Sequence, residues 1–213
     1  MKRDEIVQKV LDGIRLSQQE YYEWEDVSIS WGPEYLITVN IAKSLSKLGD
    51  AYKPSLELNI KSAIRDSGST TKVSNKKRAV NGRGDIILYK NNEPHSVIEV
   101  KNGVDRLDKI AQDIERIIYI LNKEKSSTTW KNGIMAFFMD IDLLEKESRN
   151  IENELEEKIL GLFDEVQISE SGFLACRSIV FAAQHDRGKL VPHDVLNIRE
   201  NELLFLRNTP CVS

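Results

Sequence analysis

Cysteine is almost absent from this 213-residue chain: only Cys176 and Cys211 occur. Two thiols in apolar or terminal surroundings exclude a disulfide framework and suit reduced cysteines in a cytoplasm. Histidine is equally scarce. His95, His185 and His193 show no metal-ligand spacing, which leaves them as loop residues and not an imidazole cage. No apolar run approaches a membrane span in length. The start, Met1-Lys2-Arg3-Asp4-Glu5, leads into an amphipathic pattern with no apolar leader segment, so a cytoplasmic protein is expected. An excess of positive charge is also missing. The formal net charge is −4, which argues against a protein that coats nucleic acid. Repeats, low-complexity tracts and linkers are lacking, so one domain spanning 1–213 is the simplest organisation. With 40% hydrophobic and 30% charged residues, the chain has an ordinary globular composition.

Charge is unevenly spread. Lys72, Lys76, Lys77, Arg78 and Arg83 follow one another with no acid before Asp85, whereas Glu145 to Glu157 is strongly acidic. A basic loop can hold phosphates even on an acidic protein, although a run of charge is as often a solvated face.

Hydrophobic spacing gives the order of elements. Ile6, Val7, Val10, Leu11 and Ile14 recur at helical intervals, predicting a helix from about Arg3 to Tyr22. Tyr21, Tyr22, Trp24 and Trp31 follow; they could stack bases, but packing among helices is the expected role. Pro33 suits the first position of a second helix, whose face Tyr35, Val39, Ala42 and Leu45 or Leu48 runs to Gly49. Ser55 to Arg65 reads equally as a strand around Leu56-Glu57-Leu58 or as a short helix, and Asp66 to Lys77 as a loop. Ile86 to Tyr89 and Ser96 to Lys101 form an antiparallel hairpin about the turn residues Lys90 to Pro94. Asn102-Gly103 ends it. Asp105 can cap a long helix with a stripe of Leu107, Ile110, Ala111, Ile114, Ile117, Ile118 and Leu121. Gly133 to Met139 reads as a strand buried on both faces. Leu143 to Leu162 is expected as an acidic helix, Phe173 to Ala183 as a further strand, and Leu203 to Leu206 as an apolar patch. The sum is an α/β fold with a mixed sheet.

The chemistry concentrates in the hairpin. Side chains alternate along a strand, so Glu99 and Lys101 share one side and Ile98 and Val100 the other. Thirteen residues separate Asp85 from Glu99, enough to bring the two acids together across the hairpin. Burying an acid and a base side by side is costly, and a divalent cation with a water beside it is one reason to do so. Hard cations such as Mg²⁺ (or Mn²⁺) prefer carboxylate oxygens, so Asp85, Glu99 and the backbone carbonyl of Val100 make a partial shell. Lys101 could orient the attacking water, help deprotonate it, or neutralise charge developing on phosphorus. The bland alternative is an ion pair on a solvated sheet, with Asp85 in a turn.

Gly84-Asp85, a hairpin-length gap and then Glu99-Val100-Lys101 resemble the PD-(D/E)xK nuclease superfamily, also called the restriction-endonuclease-like fold. The motif covers about twenty residues; a helix before the hairpin and a helix and strand after it also resemble that family's core. The resemblance implies a mixed β-sheet flanked by α-helices, with a catalytic core over 33–139 and an N-terminal helical extension over 1–32. It implies Mg²⁺-dependent phosphodiester cleavage with Asp85 and Glu99 as metal ligands and Lys101 serving the water. Glu34, early in the helix after Pro33, resembles the glutamate that many members add to the shell, and equally a glutamate favoured by a helix N-terminus. On the helix after the lysine, Gln112, Asp113 and Arg116 resemble polar residues that face the site in some members. Asp113 with Arg116 resembles an acid-arginine pair seen there. Gln112, Arg116 and Tyr119 share a face opposite the apolar stripe, and for Gln112, Asp113 and Arg116 plain exposure or a weak ion pair serves as well. Gly84 stands where many members carry proline.

Two functions follow as expectations. One is a metal-dependent nuclease, acting on DNA in preference to RNA, in restriction, repair or phage defence, with Lys72, Lys76, Lys77, Arg78 and Arg83 on the backbone phosphates. The other is a non-catalytic module of the same fold that binds nucleic acid or protein within a larger defence or repair assembly. A homodimer or partner subunits fit either, and a membrane fits neither.

Overall fold

The computed structural model describes residues 3–68, 82–104, 108–121, 129–141, 178–187 and 203–206. The first apolar stripe forms helix α1 (Arg3–Glu25). Ile6, Val7, Val10, Leu11 and Ile14 are all at most 2% exposed. A 3-10 turn at Ile29–Trp31 leads to α2 (Glu34–Leu45), with Pro33 at its N-cap and so one position before the helix. Its buried side is Ile37, Ile41, Ala42 and Leu45 with Thr38, Asn40 and Ser44; of the expected face, Ala42 and Leu45 are buried, Val39 is half-buried and Tyr35 is exposed. The reason is that α2 packs on α1 as well as on the sheet, so its buried sector takes in polar positions. Asn40 Nδ2 donates to Ser17 Oγ (3.2 Å) and Glu20 Oε2 (2.7 Å) on α1, which satisfies polar groups that the helix pair covers.

The ambiguous segment holds both structures in turn: strand β1 (Tyr52–Asn59), then helix α3 (Ile60–Asp66). Asn59 switches one to the other, because its side chain accepts the N–H groups of Lys61 and Ser62 and caps the helix. The hairpin is β2 (Arg83–Lys90) and β3 (Glu93–Lys101). Asn91 and Asn92 have φ of 53° and 66°, the paired left-handed geometry of a two-residue hairpin turn in which asparagine is favoured. Helix α4 (Asp108–Leu121) then crosses to β4 (Asn132–Ile141). Strands β5 (Ser178–Arg187) and β6 (Leu203–Leu206) follow. The strand expected from Phe173 thus overlaps β5, and the terminal apolar patch becomes β6. Asp105, Leu107, the loop cations Lys72, Lys76, Lys77 and Arg78, and the acidic segment Leu143 to Leu162 lie outside the described residues.

Strands β1 to β4 form a mixed sheet that β5 and β6 continue in chain order. β1, β2 and β3 are antiparallel neighbours, and β3 and β4 run parallel. Ile86, Leu88, Ile98, Val100, Ile134, Ala136 and Phe138 share one core with α1 and α2. The segment expected as an extension therefore covers one sheet face. Alternation turns Asp85, Ile87, Val97, Glu99 and Gly133 to the other face, where α4 lies. Contact there is close: a Cβ on Gly133 would stand 2.2 Å from Ile117 Cγ2. On α4, Ile110, Ile114, Ile117, Ile120 and Leu121 are buried. The sheet is thus covered on both faces beside the acid pair, and the fold is α/β.

Candidate functional site

Register explains how the two acids meet. The β2–β3 pairing runs from Lys90↔Glu93 to Ile86↔Ile98. Beyond it, Asp85 replaces the next ladder bond: its Oδ2 accepts the Val100 N–H at 2.7 Å. Within a strand the N–H and C=O of one residue project to the same edge, so the Val100 carbonyl also faces the Asp85 side. On β1 the pairing steps from Leu56↔Ile86 to Leu58↔Gly84, and the intervening Glu57 has φ of 51°. A non-glycine residue in that left-handed region is strained, and this one stands opposite Asp85.

Glu99 is 1% exposed. Its Oε2 accepts from Arg116 Nη1 at 3.0 Å, while Oε1 is buried with no hydrogen-bond partner. Burial, and then the nearby Asp85 carboxylate, push the Glu99 carboxyl well above the ordinary carboxylate range, against the pull of Arg116. Burial likewise raises Asp85, outweighing the Val100 N–H and the Lys101 charge. Lys101 Nζ lies 3.3 Å from Glu34 Oε1 and 3.5 Å from Asp113 Oδ2. Burial alone would lower its ammonium, but the carboxylates of Asp113, Glu34 and Asp85 more than offset this and raise it. Arg116 also reaches Asp113 Oδ1 at 3.4 Å. Asp85, Glu99, Lys101, Glu34, Asp113 and Arg116 are therefore one ionic network.

This outcome sorts the expected site residues. Glu34 is more than a helix-terminus acid. Besides Lys101 it accepts the backbone N–H of Asn102 on Oε2 at 3.2 Å. Asp113 is 6% exposed, and Arg116 is half-buried against Glu99; plain surface exposure is the wrong account of both, whereas the ion pair expected between them is present. Gln112, one residue round the helix from Asp113, is exposed. Arg83, at the start of β2, is exposed. The early aromatics also divide: Tyr22 is buried, whereas Trp24 and Trp31 are 62% and 82% exposed. Packing is thus the wrong role for those two, because α1 and the turn after it already fill the core with Ile14 and Ile29.

Asn102 was legible only as the end of a strand. Its Nδ2 donates to the carbonyls of Ile29 (2.6 Å) and Gly32 (2.9 Å), clamping the Ile29–Trp31 turn to the end of β3. Gln18 holds the same turn from α1, its Oε1 accepting the Ile29 N–H at 2.8 Å. An amide next to a candidate lysine was the available signal.

Among the described residues, no group of three or more His, Cys, Asp or Glu side chains forms a ready metal cage. The donor chemistry nevertheless suits a hard cation. Arg116 serves one oxygen of Glu99, and the other, buried without a partner near a second carboxylate, can still take a proton or a further positive charge. Gly84 lies under Ile60 and Ile87, where a Cβ would come within 2.9 Å of Ile60 Cδ1 and 3.2 Å of Ile87 Cδ1. Comparison with protein-family models, with curated proteins and with solved structures finds no match to this chain. Among the described residues, no helix is long and apolar enough to cross a membrane.

Proposed function

We propose that the protein is a metal-dependent phosphodiesterase of the restriction-endonuclease-like kind, a cytoplasmic nuclease acting on DNA in restriction, repair or phage defence. The observation that carries the reading is Glu99: a fully buried acid with an unpartnered oxygen beside Asp85. Asp85 and Glu99 would hold Mg²⁺ or Mn²⁺. The ion, when bound, supplies Lewis-acid charge to a phosphoryl oxygen and eases deprotonation of water. The chain's own groups do the rest. Lys101, held protonated by Glu34, Asp113 and Asp85, places fixed positive charge where negative charge develops on phosphorus. That role fits it better than proton abstraction, for which a lysine needs a lowered pKa. Glu34 and Asp113 position the ammonium, and Arg116 neutralises the second oxygen of Glu99. Arg83, with the loop cations before it, would meet the flanking phosphates.

A second reading has one observation in its favour. Arg116 and Lys101 are both already paired with carboxylates, as in a purely structural network within a binding module. A cleavage assay titrated with Mg²⁺ and Mn²⁺ over single-stranded DNA, duplex DNA and RNA separates the two. Asp85→Ala and Lys101→Ala should each cut the rate by about 10²-fold or more while the protein stays folded. Equal cleavage by the purified variants would remove both residues from the mechanism.

A further inference from the structure

An exposed tryptophan on a mobile tail means little, but Trp31 is held on a rigid turn. Its indole is 82% exposed, and the backbone beneath it is fixed from two directions. Ile29, fully buried, gives its N–H to Gln18. Asn102 takes the Ile29 and Gly32 carbonyls. Tyr35, 54% exposed, follows on the first turn of α2. Between these two aromatics in the chain stands Glu34, whose carboxylate lies on Lys101 and on the Asn102 N–H. The aromatic pair and the ionic site are thus joined through the same two residues, Glu34 and Asn102.

We propose that Trp31 and Tyr35 form a stacking shelf for unpaired nucleobases, so that the substrate is single-stranded nucleic acid whose phosphate meets the Glu34–Lys101 side of the site. This rests on the nuclease reading above and narrows its substrate. The choice of single strand over duplex follows from charge and geometry. A duplex buries its base faces and binds through phosphate charge. Yet Lys101 and Arg116 spend their charge on carboxylates, Glu23, Glu25 and Asp26 near the turn are exposed acids, and the whole chain carries −4. A single strand offers stacking in addition to charge, because every unpaired base presents a π-face that a duplex hides. A surface already fixed before binding loses little freedom when a base settles on it.

The test is binding of the full chain, in EDTA at physiological salt, to a labelled oligothymidylate of about 16 nucleotides, to the matching duplex and to oligolysine. Anisotropy should show the single strand bound more tightly than the duplex. Trp31→Ala should weaken it about 5- to 100-fold, the range for losing one stacked base, Tyr35→Ala should weaken it too, and Trp31→Phe should restore most of the affinity. Trp24→Ala removes another exposed indole, outside the turn that Asn102 clamps, and should change nothing. Wild-type affinity in both Trp31→Ala and Tyr35→Ala overturns the shelf, as does preference for the duplex. Oligolysine bound through Trp31 while the strand is ignored overturns it in favour of a basic protein partner. The parent reading fails separately. A strand held through Trp31 but left uncut with every metal tested keeps the shelf and removes the nuclease, whereas Asp85-dependent cleavage with normal binding by Trp31→Ala does the reverse.

Discussion

Replacing Glu99 by glutamine should make the metal-free protein more stable. The carboxyl is 1% exposed, its Oε1 is unpartnered, and burial and Asp85 hold its pKa well above the ordinary 4.5. At neutral pH the ionised form therefore opposes folding. Glutamine keeps an oxygen for Arg116 and presents an N–H₂ toward Asp85, while Arg116 keeps Asp113 at 3.4 Å. Exchanging a buried charge for a satisfied neutral group stabilises by about 1–2 kcal/mol in such settings. For a chain of this size that is a rise in Tm of about 2–8 °C. The sign with pH follows from linkage. The folded pKa lies above the unfolded one, so the carboxyl's favourable contribution is whole below 4.5 and is lost as pH rises through the folded value. The advantage of Glu99→Gln should therefore widen as pH rises. Thermal melts of both proteins from pH 4 to 8 in EDTA, repeated with Mg²⁺, measure it. Mg²⁺ at a hundred times its Kd should stabilise wild type by about 2.7 kcal/mol and the variant by much less. A variant less stable than wild type in EDTA would refute the reasoning. It would mean that Glu99 is there to neutralise Arg116, since breaking a buried pair leaves an uncompensated charge.

Gly133→Ala should lower stability by about 1–3 kcal/mol, seen as a fall in Tm, because its Cβ would meet Ile117 Cγ2 at 2.2 Å; an unchanged Tm would mean that α4 shifts freely. His95, beside the Tyr52 ring at 6.0 Å, is pushed down to about 4 by burial and then by Lys90 and Lys131. The unfolded chain then binds that proton first, so stability present above pH 6.5 is lost as pH falls toward 4. His95→Gln should recover roughly 1–2 kcal/mol at pH 4.5, an amount discounted for the partly exposed ring, and equal acid sensitivity of the two proteins in urea melts would count against it.

Local signals carried much of the fold. The α1 stripe, the Asn91-Asn92 turn and the β3 alternation each fix their element within a few residues, so helix, hairpin, helix and strand were legible in order. Ser55 to Arg65 was ambiguous because one asparagine, Asn59, converts strand to helix in mid-segment. The face of α2 was legible in part, with Ala42 and Leu45 buried but Tyr35 exposed, because periodicity cannot tell that a helix has two neighbours. The same limit governed the site. Thirteen residues separate Asp85 from Glu99 on one hairpin, and their proximity follows from strand geometry. Arg116 was legible as a candidate on the helix after the lysine, whereas its pairing with Glu99, the clamp made by Asn102 and the exposure of Trp31 depend on which surface docks where.

The separation of partners along the chain has a kinetic consequence. Asp85 reaches Val100 across 15 residues and Arg116 reaches Glu99 across 17, whereas Glu34 finds Lys101 and Asn102 across 67 and 68. Contacts of short range form early and those that close long loops form late. The two carboxylates are thus brought together by a local turn, ahead of the glutamate that steadies the lysine. Arg116, at equally short range, brings the charge that offsets the pair, whereas the tie from α2 to the end of β3 carries the larger loop-closure cost.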